Sequence, residues 1–420
     1  MTSVEPVRSR DYRAIRFCRL CSHNELTPLW DLGEQYIMGY PPLSYPGDYG
    51  VKAPLRLWMC CQCKLVQLEH TVDRDRLYEH YYYRSGISGT MRSALHEVVD
   101  HTLRSANLLP GDAVADIGCN DGTLLDLYPP SAVTIGVDPS DIARQTVHAR
   151  HIVLNDYFSV DNLKRAYPKM RLGTWKIITS VAMFYDVPRP LDFMADIADM
   201  LHEEGVWVNQ MNYTPMAMNN LAVDFISHEH LTYWTIQTLE WGLEHAGLEI
   251  FDIDLLPLNG GTARFYIQHR GARPIIHKDK VDKLRHDELE YNSPQAWQAF
   301  HEKVDRNGSV LRGILGRARS QEKVVAVYGA STRGNSLLQY YDLDVKQLPY
   351  AADRDPQKWG KKMVGTNIPI VSEEEARSCK PDYFLVLPYS YIEEFKVREK
   401  EFLDRGGKFI VPLPKAEVVS

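Results

Sequence analysis

The sequence predicts an α/β protein in three parts, and three observations predict it. Cysteines stand in two close pairs near the N-terminal end, short apolar runs alternate with helical stretches from residue 113, and the alternation starts again at residue 323. At 420 residues the chain has room for two or three domains. A hydrophobic share of 44% beside 25% charged residues is the composition of a folded chain, not a disordered one.

The first part rests on Cys18-Arg-Leu-Cys21 and Cys60-Cys61-Gln-Cys63. Two such knuckles supply four soft thiolates, which suits tetrahedral Zn²⁺. The ligands are then Cys18, Cys21, Cys60 and Cys63, with Cys61 a bystander and the metal structural, because four thiolates leave no position for water. A zinc-binding domain over residues 1–75 follows. Its middle, GYPPLSYPGDYG, is too rich in turn residues for regular structure, and a segment so small cannot be held by apolar burial alone.

Next, Met91, Leu95, Val98, Val99 and Leu103 fall at helical spacing and predict an amphipathic helix leading into a central domain, 76–274. There AVADIG, VTIGVDPS, HIVLND, WKIITSVAMF and GVWVNQM read as strands. TLLDLYP, DIARQTVHAR and FMADIADML read as the helices between them. This rhythm predicts a parallel sheet covered on both faces. After residue 213 comes a less regular insertion containing DFISHEHLTYW, then a helix (TIQTLEWGLEHAG) and strands at EIFDIDLL and ARFYIQHR. The charged stretch from 275 to 320 reads as a connecting helix pair. It opens the third part, 275–420, a smaller Rossmann-like unit with strands at KVVAVY, QLPYAADRD, PDYFLVLPYS and KFIVPLP.

No apolar run approaches the roughly 20 residues of a membrane span, and the N-terminus lacks the apolar core of a signal peptide. A cytoplasmic protein without a membrane partner is expected. A formal charge of −7 argues against a nucleic-acid partner. It leaves room for a small anionic ligand near Arg333, Arg354, Lys358, Lys361 and Lys362, residues that read equally well as a solvated face.

In AVADIGCNDGTLLDLY the first strand ends at Asp116, and Gly118 and Gly122 allow a tight turn where α/β sheets bind ligands. The spacing departs from the dinucleotide fingerprint. With Asn120 it resembles instead the first motif of class I methyltransferases that use S-adenosylmethionine. Asp138, after the second strand, would bind ribose hydroxyls, and Asn155 and Asp156, after the third, would lie beside adenine. A nicotinamide-type unit or a bare turn is the other reading. Ser227-His228-Glu229-His230 packs two imidazoles and a carboxylate together. The histidines are two apart, not the four a zinc protease needs, so a general base oriented by the carboxylate is the better reading. In the third part Gly329-Ala330-Ser331-Thr332-Arg333-Gly334-Asn335 follows a strand and opens a helix, so its amides and Arg333 could hold a diphosphate. A packing domain that binds nothing is the alternative.

The two cysteine knuckles, Tyr82-Tyr83-Arg84-Ser85-Gly86, the cofactor motif, His228-Glu229-His230, Asn259-Gly260-Gly261 and Tyr328-Gly329-Ala330-Ser331-Thr332-Arg333-Gly334-Asn335 occur in the order seen in sugar C-methyltransferases. From about Arg16 to Pro414 the chain resembles that zinc-containing, S-adenosylmethionine-dependent family, which methylates C3 of nucleotide-linked 4-keto-deoxysugars. The resemblance implies three domains, with a nucleotide-sugar as partner. It makes His230 the base and Glu229 its helper, with His228 and Tyr83 beside them and Tyr83 also at the cofactor. Tyr185, Asn259, Arg264, Ser331, Arg333, Asn335 and Tyr389 fall to the substrate. Ser227 and Phe184-Tyr185-Asp186 depart from the family pattern on the substrate side. A methyltransferase acting on RNA or protein, or a binding protein without chemistry, would share most of these residues.

Overall fold

The computed structural model describes residues 11–37, 39–45, 50–78, 84–87, 89–275 and 277–420. Near the N-terminus, strands Leu26–Tyr36, Lys52–Cys60 and Val66–Leu68 form an antiparallel sheet. Its fourth strand, Thr232–Tyr233, comes from the central part of the chain and pairs with Val66 and Gln67. Leu55, Leu57, Leu65 and Leu68 share one continuous core with residues of the central and C-terminal units. The small unit thus fills its apolar deficit by packing on its neighbours as well as through its cysteines.

The central sheet has seven strands: β1 (Ala113–Ile117), β2 (Val133–Val137), β3 (Ile152–Leu154), β4 (Trp175–Val181), β5 (Leu201–Asn212), β6 (Leu248–Leu256) and β7 (Thr262–His269). Their spatial order is β6-β7-β5-β4-β1-β2-β3, parallel except for β7. Strand order reverses between β1 and β4, the position where open α/β sheets form a ligand crevice at the carboxyl ends. β4 and the second half of β5 are buried on both faces, which is why they read as unbroken apolar runs. The helix Gly89–Ser105 covers one face with Leu95, Val98 and Val99 against Val114, Val206 and Phe251. The helix Pro190–Met200 covers the other with Phe193, Met194 and Ile197.

One expected element differs. TLLDLY makes only a single 3₁₀ turn, Leu125–Leu127. Pro129 and Pro130 follow at once, and a proline forces its predecessor out of helical geometry, so there is no length in which a helix could form.

Helices Lys278–Asp287 and Pro294–Ser320 connect to the last sheet. Its strands run in the order Ile370–Ser372, Ala351–Asp353, Val325–Tyr328, Tyr383–Val386, Lys408–Val411 and Glu417–Val419, all parallel but the last. The long helix buries Trp297, Phe300, Val304 and Leu311, and Phe300 meets Trp30 of the N-terminal unit edge to face at 5.7 Å. Among the described residues no helix is long and apolar enough to cross a membrane.

Candidate active site

The sulfurs of Cys18, Cys21, Cys60 and Cys63 all lie within 4.8 Å of one another, with Cys18 to Cys63 and Cys21 to Cys60 at 3.5 Å. A Zn–S bond of about 2.3 Å implies tetrahedral edges of about 3.8 Å, so the thiolates fit the ion. Both knuckles are built alike. Ser22 (φ 61°) and Lys64 (φ 66°) follow Cys21 and Cys63 in left-handed geometry. The Ser22 amide donates to the Cys18 carbonyl at 3.0 Å and the Lys64 amide to that of Cys60 at 3.1 Å. Cys61 is exposed, 3.4 Å from the Thr27 hydroxyl and outside the cluster, as the spacing predicts.

At the carboxyl end of β1, Gly118 turns at φ 79°, and a Cβ there would stand 3.0 Å from Met183 Cγ. Asn120 (φ 51°) donates its amide to Asp138 Oδ2 at 2.8 Å, and Ser140 donates to Oδ1 at 2.8 Å, which pins the acid at the end of β2. Asp116 accepts from the Thr179 hydroxyl at 2.6 Å, and burial pushes its carboxyl up to about 7. Ser85 and Gly86 donate to the Asn120 and Asp121 side chains, at 3.0 and 2.8 Å, and strap the preceding segment over the turn. Asp116, Gly118, Asn120, Asp138 and Asp156 line one cleft of about 650 Å³. Asn155 does not reach it. Its amide donates to the carbonyls of Asp138 and Ser140, at 2.8 and 2.9 Å, and braces the turn from behind. Gly122 (φ 81°) also lies off the cleft, where a Cβ would meet Val147 at 3.3 Å.

The same cleft continues past Tyr185, Asp186, Asp224, Ser227, Glu229 and His230 to Asn259, Arg333 and Tyr389, and ends against the last sheet at Asp353, Lys358 and Arg398. His230 Nδ1 is 2.5 Å from the Phe225 carbonyl. A carbonyl only accepts, so Nδ1 carries the proton and Nε2 keeps its lone pair. The ring sits edge-on to Tyr185 at 4.3 Å and against Phe225 at 4.8 Å. Burial, reinforced by the charge of Arg333, pushes the imidazole down to about 3, so it rests neutral. Burial alone raises Glu229 to about 7.

Three family models match the chain in succession: a zinc binding domain over residues 18–78, a methyltransferase domain over 83–253 and a C-methyltransferase C-terminal domain over 257–414. The C-methyltransferase NovU of Streptomyces niveus is 27% identical over 421 aligned positions, which cover 97% of this chain and 98% of NovU. Matched in that order along nearly its whole length, the chain is an S-adenosylmethionine-dependent C-methyltransferase with a zinc-binding domain. Among solved structures, an S-adenosylmethionine-dependent methyltransferase of Clostridium acetobutylicum aligns at TM-score 0.33 and 14% identity, over 43% of this chain and 92% of its own. The plantazolicin methyltransferase BpumL in complex with SAH aligns at TM-score 0.33 and 13% identity, over 43% and 84%. Likenesses at that level carry no functional argument.

In this C-methyltransferase several residues expected at the site do other work. His228 points away from the cleft, its Nε2 on the Ala53 carbonyl at 2.9 Å, and burial lowers it to about 4. The tautomer of His230 is fixed by the Phe225 carbonyl, not by His228 or Glu229. Arg264 is sealed inside the central sheet, its Nε donating to Gln210 at 2.8 Å. Asn335 donates to the Val364 carbonyl at 3.0 Å within the last unit. Ser331 lines the cleft, but its hydroxyl caps a helix by accepting from the Gly334 amide at 3.1 Å. Arg333 is not a free cation: Asp224 faces it at 3.0 Å, and it donates to the Asn259 carbonyl at 2.9 Å. Tyr389 completes that cluster by donating to Asp224 at 3.1 Å. Lys358 is paired with Asp353 at 3.1 Å and Arg354 with Glu394 at 3.2 Å. Tyr83 lies outside the described residues.

Proposed function

We propose that this enzyme methylates a carbon beside a ketone, C3 of a nucleotide-linked 4-keto-6-deoxysugar, with His230 as the base. One observation carries the reading: a neutral imidazole, its tautomer set by a backbone carbonyl, lines a cleft that runs unbroken from the β1 turn to the last sheet. A hydrogen beside a carbonyl is too weakly acidic to leave unaided, so carbon methylation needs such a base where oxygen methylation needs less.

Asp116, Asn120 and Asp138 would hold S-adenosylmethionine, two acids and a polar turn suited to an ammonium and a ribose. When bound, that cofactor supplies an electrophilic methyl group. Nε2 of His230 takes the proton from the sugar carbon. Imidazolium is disfavoured by burial and by Arg333, so the proton stays there only while the enolate anion sits beside it, which couples deprotonation to the step that follows.

The far end of the cleft supports a nucleotide-linked substrate. Asp353 accepts from the Ala330 amide on Oδ2 and from the Asp355 amide on Oδ1, both at 2.9 Å. Asp138 is held in the same pattern by the amides of Asn120 and Ser140. The last unit therefore repeats the strand, turn and acid with which the central unit would hold a nucleoside.

The test is an incubation in heavy water with S-adenosylmethionine and TDP-, GDP-, UDP- and CDP-linked 4-keto-6-deoxyhexoses, followed by mass spectrometry. Gain of one methyl group by a sugar is expected, with His230→Asn losing both methylation and deuterium exchange at the sugar carbon. A protein that binds the cofactor yet methylates and exchanges none of these sugars would remove the reading.

A further inference from the structure

Deprotonation beside a ketone moves an electron pair onto the carbonyl oxygen, and that oxygen needs a donor as its charge grows. Among the carboxyl groups lining the cleft, Asp116 has the Thr179 hydroxyl, Asp138 two backbone amides, Asp224 the Arg333 guanidinium and Tyr389 hydroxyl, and Asp353 two amides and Lys358. Asp138, Asp224 and Asp353 can rest as anions, and Asp116, with its hydroxyl donor, is raised only to about 7. Asp186 is built differently. Its Oδ1 is sealed from solvent with no hydrogen-bond partner, while the residue as a whole remains partly open and lines the cleft.

The groups acting on Asp186 are Glu229, an anion when ionised, and the Tyr78 hydroxyl, which favours the carboxylate but is outweighed by burial. No cation is among them. A carboxylate in that setting would carry uncompensated charge on a sealed oxygen, whereas a neutral acid places its carbonyl oxygen there without such a penalty. Burial, then Glu229, raises this carboxyl well above its ordinary range. Asp186 also ends the 3₁₀ turn Phe184–Asp186, whose Tyr185 ring lies against His230 at 4.3 Å, so acid and base stand on one wall.

We propose that Asp186, as a neutral carboxylic acid, is the hydrogen-bond donor to the enolate oxygen of the ketone substrate. The inference rests on the ketone reading above. The carbon–hydrogen bond breaks, its proton goes to His230 Nε2, and the electron pair spreads from carbon to the carbonyl oxygen. The Asp186 O–H meets that oxygen and keeps its own proton. When the carbon takes the methyl group the carbonyl re-forms and the hydrogen bond weakens, leaving Asp186 as it began. A tyrosine such as Tyr185, which also lines the cleft, could offer a hydroxyl for the same role. A carboxylic acid is the stronger donor, because its O–H is more acidic than that of a phenol.

Two measurements test it. The first is independent of the sugar: infrared difference spectra of wild type and Asp186→Asn at about pH 8, above the value of about 7 to which Glu229 is raised. A protonated-carboxyl C=O band present in wild type and missing in the variant is expected, and its absence from wild type overturns the proposal whatever the substrate. The second is deuterium exchange at the sugar carbon without S-adenosylmethionine. Asp186→Ala should slow exchange by about 10²- to 10³-fold, the effect of losing one oxyanion donor, with substrate affinity nearly unchanged. Asp186→Asn keeps a neutral donor, so it should recover much of the rate and lose the alkaline fall that the proposal predicts for wild type. An Asn variant as slow as Ala, or an Ala variant as fast as wild type, would sink the proposal. If Ala fails to fold, the Asn variant and its pH profile still decide.

Discussion

Asp116 is half protonated at neutral pH in the free protein, because burial has raised it to about 7. In the proposed complex a cationic cofactor would favour the carboxylate, so binding should release a proton. S-adenosylmethionine affinity is expected to weaken toward about tenfold per unit as pH falls below about 7, the limit for one linked proton. Titration calorimetry in buffers of different ionisation enthalpy measures that proton, and Asp116→Asn should abolish it. The sign for stability is the reverse. A carboxyl raised on folding contributes fully below its unfolded value and loses that contribution as pH rises through about 7. Asp116, Asp138 and His230 were legible in the sequence because strand ends and spacing announce them. The Phe225 carbonyl that fixes the His230 tautomer was not, since a backbone oxygen leaves no mark on the sequence. Arg333 misled for a related reason: its partner Asp224 is remote in sequence, and only the fold reveals that the charge is already met.

The helix Ile236–His245 begins shortly after His230 and is anchored from outside. Buried Glu288, on the connector, accepts from the Ile236 amide at 2.7 Å, the Gln237 amide at 2.6 Å and the Tyr213 hydroxyl at 2.8 Å. It supplies negative charge where the helix dipole is positive and satisfies two orphan amides. Glu288→Ala should cost about 2–4 kcal/mol, read as a lower urea midpoint, since it strips a charged acceptor from buried donors. No change in midpoint would mean that water replaces the carboxylate. At this scale the sequence was read well where periodicity is strong, as in β1, β2, β4 and the helix Gly89–Ser105. It was misread at TLLDLY, where apolar spacing promised a helix that two prolines forbid. The strand Thr232–Tyr233 was invisible, because a two-residue strand has no period and its partner is remote in sequence.

Taken whole, the molecule is organised around the metal unit as much as around the cofactor. The zinc sheet takes its fourth strand from the segment directly after His230, and Val66, which pairs with Tyr233, follows closely on the ligand Cys63. The turn that holds Asp138 is built within the central sheet, by bonds that do not involve that pairing. Stripping zinc with a strong chelator should therefore abolish α-hydrogen exchange while leaving S-adenosylmethionine binding largely intact, the two being followed by mass spectrometry and calorimetry on the same sample. Loss of both together would mean that the metal supports the entire fold. The order of failure matters for any preparation short of metal. Such a protein would be a cofactor sponge, occupied but idle, so zinc content and not cofactor occupancy is the measure of how many molecules can turn over.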